Sequence, residues 1–331
     1  MCWLKAIEKI TTSLMATMST ARTIEKHVPA TMSTKISRLI GTVDIEGKGT
    51  NHPLHEVDPF ILLDATTVKQ HGMPPFGPHP HRGHSVVTIL TKGKYSSWDS
   101  FSPANQNEAD SSRHLISGPA SYWVDAGTGV FHDETSVIDD EDDPDQYADL
   151  FQLWIGVKEA DRHKPPRIQY ENNLQSHECR NDDGAVVGHV TYHVGPGANI
   201  ETPHPIVVAH VRQDPHTVYK MPVDPTFNGF VVHISGQPQI GETEATQKYD
   251  VLVLGKGGDY VQVETRSEVG EYLVCLGEPH GEPWAKKLVA NGAIFAATAE
   301  EARELAPKVE KMSLAGKAGN GFAPFGLAIE K

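Results

Sequence analysis

From about residue 37 the chain is a succession of short apolar runs cut by Gly, Pro, Asn and Asp. SVVTILTKG, DLFQLWIGV, NGFVVHISG, DVLVLGKGG, YVQVE and EYLVCLGEP are each of strand length and rich in β-branched or aromatic residues. In DLFQLWIGV, Phe151, Leu153, Ile155 and Val157 recur with period two, as a half-buried strand requires. Many short strands separated by turn signals predict antiparallel sandwiches or barrels. No βαβ alternation appears, which argues against a parallel nucleotide-binding sheet. Gly127-Thr128-Gly129 is not a dinucleotide loop, because no helical pattern follows it. A helical pattern comes only near the end. There Thr298 and Glu301 form a capping box ahead of AEEAREL, and Pro307 is placed to kink or end the helix.

The strand patterns fall in two blocks, roughly 38–160 and 185–290, joined by the polar, proline-bearing EADRHKPPRIQYENNLQSHECRNDDG. This predicts an all-β protein of two tandem antiparallel β-barrel lobes, over 37–165 and 166–297, with 298–331 as a C-terminal helix and tail packing back on the N-terminal lobe. Residues 1–36 read as a disordered extension rich in Ser, Thr and Met, with ATMST at both 16–20 and 30–34. Its Lys5, Lys9, Arg22 and Lys26 are offset by Glu8 and Glu25, which weakens an organelle-targeting reading.

A formal net charge of −14 and a pI near 5.7 leave no general basic face, so direct nucleic-acid binding is not expected. No run approaches the roughly 20 apolar residues of a membrane span. Cys2, Cys179 and Cys275 are far apart with no CxxC pair. That excludes a disulfide scaffold and a cysteine-based zinc site, and fits the reducing cytoplasm or nucleus. The acidic run DDEDDPD at 139–145 reads as a solvated loop.

Chemistry concentrates in GPHPHRGHS, residues 77–85. On a strand, His79 and His81 share a face, about 7 Å apart along it, and two imidazoles so placed can share one ion at about 2.1 Å each. Pro80 donates no hydrogen bond, so this strand should start there or lie at an edge, as at a barrel mouth. In GTGVFHDE, residues 127–134, His132 and Glu134 repeat the spacing. Two such pairs on one barrel would surround an interior point with three imidazoles and a carboxylate, a set suited to a first-row metal such as Fe(II) with open positions. The plainer alternative has His132 and Glu134 hydrogen-bonding in a polar loop. His84 has odd parity to His81 and should point away as a structural residue. Arg82 either orients Glu134 or a substrate oxygen, or forms an ordinary salt bridge. His114 reads as a loop residue. His189, His193, His204, His210 and His233 form no HxH or HxE pair, so the second lobe reads as metal-free.

FILLDATTV, GPHPHRGHSVVTILTKG, WVDAGTGVFHDE and LFQLWIGV together resemble the pirin family of bicupins. The likeness continues through GFVVHISGQPQIG, VLVLGKGGDYVQVE and LVCLGEPHGEP, and so covers roughly 37–295. HPHRG followed about fifty residues later by GxGxxHxE is specific to that family. The resemblance implies two cupin lobes and one Fe(II) per chain, or another divalent first-row metal, held by His79, His81, His132 and Glu134. It also implies a quercetin 2,3-dioxygenase-like activity on a small aromatic or flavonol substrate with O₂. In that chemistry Glu134 is both ligand and catalytic base. The family's other implied role is non-enzymatic: a nuclear, iron- and redox-responsive cofactor that binds transcription factors. A monomer is expected. Ser85 stands where the family usually carries Glu, which would alter a hydrogen bond behind the ligands or the substrate pocket. Gly118-Pro119-Ala120 replaces a usual Pro-Gly-Asp turn.

Overall fold

The computed structural model describes residues 19–30, 36–41, 53–101 and 113–316. Four antiparallel-dominated sheets stack in series, two per lobe, and the C-terminal helix covers one end of the stack. In the first lobe a six-stranded sheet runs in the order Arg167–Glu171, Ala120–Asp125, His84–Lys92, Ala148–Gly156, Phe60–Val68, Ser37–Ile40. It faces a second six-stranded sheet of Ala285–Val289, Gly292–Ala296, His79–Arg82, Val130–Ser136, Lys94–Asp99 and His114–Ser117. The second lobe pairs a seven-stranded sheet with a four-stranded one. This is the two-cupin arrangement, all-β apart from the C-terminal helix among the described residues.

The central core lies between the lobes. Phe60, Leu63, Val87, Ile89, Phe151, Leu153 and Ile155 of the first lobe pack on Val208, Phe230, Val232, Leu273 and Cys275 of the second, all below a tenth exposed. Phe60 and Phe230 meet edge to face at 5.2 Å between ring centroids. The opposite face of the first-lobe sheet sends Leu150 and Trp154 into its own barrel. Strand Ala148–Gly156 is therefore apolar on both faces, which corrects the half-buried reading. The alternating set points at the neighbouring lobe instead of a solvent-backed core.

The lobes exchange chain segments, and the expected boundaries change accordingly. Ile24–Val28 is an edge strand antiparallel to Val251–Leu254 of the second lobe. Just before it, the buried Arg22 guanidinium donates to the carbonyls of Gly255 at 2.7 Å, Asp224 at 2.7 Å and Phe227 at 2.8 Å. Over 19–30 the expected disordered extension is thus part of a barrel, while 1–18 and 31–35 lie outside the described residues. Arg167–Glu171, assigned by sequence to the second lobe, pairs with Ala120–Asp125 of the first. The hairpin Ala285–Val289 and Gly292–Ala296 also returns to the first lobe, where Gly292–Ala296 runs parallel to His79–Arg82.

The C-terminal helix, Ala299–Ala315, packs on this hairpin. Leu305, Ala306 and Val309 join Trp98, Phe131, Val289 and Ile294 in one buried cluster. Half of the capping box is formed, the Glu301 amide donating to Thr298 Oγ1 at 3.2 Å, while the Glu301 carboxylate accepts from the Ala297 amide at 3.1 Å, one residue before the cap. Pro307 does not end the helix, which runs eight residues further. One backbone donor is lost there, but Ala306 and Val309 on either side are pinned by packing.

Gly292 makes this return possible. A Cβ at this position would lie 1.8 Å from the Pro80 carbonyl oxygen, inside van der Waals contact with a backbone atom. Gly292→Ala must therefore push the returning strand off His79–Arg82. We expect a loss of about 1–3 kcal/mol. Urea unfolding followed by tryptophan fluorescence checks this; unchanged stability would show that the strand contact is dispensable.

Candidate metal centre

Strand His79–Arg82 pairs antiparallel with Val130–Ser136 in the register His79 to His132, Pro80 to Phe131 and His81 to Val130. Both strands alternate side chains with period two, so His79, His81, His132 and Glu134 all face the barrel interior. Pro80 is second in its strand, as a start position requires, but the strand is internal to the sheet and not an edge. The three imidazoles converge. His79 Nε2 and His132 Nε2 are 3.0 Å apart, and the ring centroids of His81 lie 5.1 Å from His79 and 4.6 Å from His132. One ring nitrogen from each lies within 4.8 Å of the others, and all three residues are buried.

Glu134 is a neighbour of this group and not a member of it. Its Oε2 sits 3.9 Å from His132 Nε2, while the carboxyl accepts from the Thr88 hydroxyl and, at 2.7 Å, from Gln152 Nε2. Burial pushes its pKa up to about 7, with the Thr88 and Gln152 bonds opposing. Thr88 and Gln152 were missed by sequence reading. Both lie on adjacent strands of the facing sheet, and only the pairing of Gln152 with Thr88 shows that they meet.

The nitrogens behind the cluster are also occupied. His79 Nδ1 lies 2.9 Å from the Gly77 carbonyl and His132 Nδ1 3.4 Å from the Tyr122 hydroxyl. His81 Nδ1 lies 3.0 Å from His84 Nε2, and His84 Nδ1 3.0 Å from the Arg82 carbonyl. Metal-binding histidines characteristically use their second ring nitrogen in this way. His81 Nε2 is buried without a hydrogen-bond partner. An orphaned lone pair aimed among two other imidazoles is what a bound cation would satisfy, so the residues present fit a metal ion. Desolvation, reinforced by the neighbouring rings, holds His81 and His132 well below the usual histidine range, so both are neutral and able to ligate.

Two expectations are corrected, and of the two alternatives for Arg82 the ordinary ion pair is the one formed. His84 does not point away. Gly83, at φ +74°, turns the chain from one sheet into the other, so residue parity does not carry across it. A Cβ on Gly83 would meet the Phe295 carbonyl at 2.3 Å, so the corner has room only for glycine. Ser85 faces away from the cluster and donates to Asp125 at 2.8 Å, which also accepts from Trp123 Nε1 and Arg167. Its change from the family's usual residue therefore acts toward the lobe interface, since Arg167 continues to Glu201 of the second lobe. Arg82 does not reach Glu134; its buried guanidinium lies 3.3 Å from the Phe295 carbonyl and 3.7 Å from Glu301 of the helix. His114 lies on strand His114–Ser117 and stacks against Tyr170. In the second lobe, His193 is buried against Ser121 across the interface, His210 pairs with Glu271, and His233 bonds two carbonyls.

Two cupin barrels with a histidine cluster inside one define a bicupin. The Pirin family profile matches residues 42–155, and that of the Pirin C-terminal cupin domain matches residues 208–306. The chain belongs to the pirin family. It is 27% identical to human Pirin over 256 residues, 75% of this chain and 80% of that one. A Pseudomonas aeruginosa relative named as a candidate quercetin 2,3-dioxygenase is 26% identical over 239 residues, 69% of this chain and 77% of that one. The crystal structure of quercetin 2,3-dioxygenase from Acinetobacter baumannii superposes with a TM-score of 0.69 at 18% identity, covering 91% and 99% of the two chains. Among the described residues no helix is long and apolar enough to cross a membrane.

The buried neutral histidines make stability depend on pH. His84 and His193 are pushed down to about 3 by burial, and His81 and His132 shift the same way. A base with a depressed folded pKa is stabilising above its unfolded value, about 6.5, and that contribution is lost as pH falls below it. At pH 5 each of His84 and His193 costs roughly 2 kcal/mol. Glu134, raised to about 7, acts in the opposite sense, one carboxyl against four imidazoles. Metal-free protein should therefore lose urea resistance steadily from pH 7 to pH 5; a flat profile would contradict the neutral cluster.

Proposed function

We propose that this chain is a metal-dependent dioxygenase that opens flavonols such as quercetin, with one Fe(II) per chain held by His79, His81, His132 and Glu134. The observation that carries this reading is the buried convergence of three imidazoles beside a buried carboxyl. The relationship to a Pseudomonas aeruginosa protein named as a candidate quercetin 2,3-dioxygenase supports the substrate class. A bound Fe(II) supplies open coordination positions at which O₂ and a substrate oxygen can lie side by side.

The chain's own residues do the rest. Glu134 takes the proton of the flavonol 3-hydroxyl on its carboxylate as the general base. Thr88 and Gln152 hold that carboxylate in orientation. The surrounding barrel wall of Trp154, Tyr122 and Val130 excludes water, so charge developing on the substrate oxygen is met by fixed groups. O₂ is consumed, the heterocycle opens and carbon monoxide leaves.

Aerobic incubation of Fe(II)-loaded protein with quercetin, followed by absorbance loss and carbon monoxide release, tests the reading. Glu134→Gln keeps an oxygen beside the histidines but removes the proton acceptor. It should retain metal and lose roughly 10²–10⁴ in turnover. Wild-type protein no faster than free iron would sink the dioxygenase, and the non-enzymatic iron-responsive role would take its place.

A further inference from the structure

The imidazole that the sequence pattern sets aside supplies the missing half of one ligand. His84 is 1% exposed, with its ring held 5.2 Å from Trp154 and 4.5 Å from Phe295. Its Nδ1 lies 3.0 Å from the Arg82 carbonyl oxygen. A carbonyl can only accept, so the proton of a neutral His84 ring is on Nδ1 and its Nε2 carries the lone pair. That lone pair is 3.0 Å from His81 Nδ1, which must then be the donor. A neutral His81 with its proton on Nδ1 has a bare Nε2, and this is the buried atom without a hydrogen-bond partner beside His79 and His132.

We infer that His84 is a positioning residue: by accepting from His81 Nδ1 and donating to the Arg82 carbonyl, it fixes His81 in the tautomer whose Nε2 faces a bound divalent cation. The backbone carbonyl sets the direction of the whole relay, so tautomer and ring orientation are fixed before any ion arrives. His79 achieves the same through the Gly77 carbonyl, without a second imidazole. An apolar residue at 84 would fill the space between Trp154 and Phe295 but leave the His81 Nδ1 proton unpaired in the barrel. The metal-bound form would then bear the cost of that buried donor. This inference rests on the metal-site part of the proposed function and is independent of substrate and of the metal's identity within the first row.

Zinc(II), being diamagnetic, is a suitable probe with the full chain. In zinc-loaded, nitrogen-15-labelled wild type, the directly bonded proton should appear on His81 Nδ1 and His84 Nδ1. A coupling should also pass across the hydrogen bond to His84 Nε2. By competition titration, His84→Phe should bind zinc 10–100-fold more weakly. His84→Gln, whose amide oxygen can accept near the place of Nε2, should recover most of the loss. A proton on His84 Nε2 in the wild type overturns the relay. So does His84→Phe binding within threefold of wild type, or His84→Gln binding as weakly as His84→Phe, which would reduce the residue to packing. If His84→Phe does not fold, the wild-type nitrogen spectrum decides. Wild-type protein that takes up no zinc overturns the metal reading itself, which separates that failure from this one.

Discussion

The register between His79–Arg82 and Val130–Ser136 is the constraint on which the site depends. With His79 opposite His132, the two-residue period of both strands carries His81 and Glu134 to the same interior face. A slip of one residue would turn the ligating side chains of one strand outward. Yet the histidine strand is only four residues long and one of them is proline, so it has few ladder bonds of its own. Its register is held by its neighbours. On one side, Gly292–Ala296 lies against it, closely enough that Gly292 has no space for a side chain. On the other, Asp99 pairs with His132, and Ser100 bonds both the amide and the carbonyl of Phe131. Segments separated by some two hundred residues of chain therefore meet to fix one four-residue strand.

This dependence explains why the lobes exchange strands. The hairpin Ala285–Val289 and Gly292–Ala296 leaves the second lobe to complete the sheet that bears the histidines, and the helix behind it seals the hairpin with Leu305 and Val309. In the opposite sense, Ile24–Val28 completes the second lobe's large sheet. Neither lobe, as cut by sequence, has its full set of edges. The apolar faces of Phe60, Phe151 and Phe230 meet between them, so the division into two barrels is one of topology and not of independent stability.

What sequence made legible follows from local periodicity. The HxH and HxE pairs, the strand runs and the capping box are all set within a few residues, where alternation and capping rules hold. What it concealed depends on corners and on distant partners. His84 was misjudged because the parity rule assumes one continuous strand, and Gly83 breaks it. Thr88 and Gln152, the two donors on Glu134, look like ordinary polar residues in apolar strands until cross-strand pairing brings them together. Arg22 reads as one basic residue in a polar tail, and only the three carbonyls of the second lobe show why it is buried. Ser85 carried a warning in the sequence, but strand geometry turns it toward Asp125 and away from the cluster.

Burying several imidazoles and a carboxyl in one barrel is costly unless each is neutral and paired. The structure meets this on the outer side of the rings, where Gly77, the Tyr122 hydroxyl and His84 serve the three Nδ1 atoms. The consequence is that the His81 Nε2 lone pair is turned inward. His79 Nε2 and His132 Nε2, 3.0 Å apart, can be reconciled without an ion only by sharing a proton, and His81 Nε2 has no such neighbour. A cation there would satisfy His81 Nε2, the cluster nitrogen left without a partner. The donor set also decides which cations profit. Calcium and magnesium seek oxygen ligands in larger number, whereas three imidazole nitrogens suit borderline first-row ions. Within that row, affinity rises toward copper irrespective of function, so the three histidines alone do not select one of these metals.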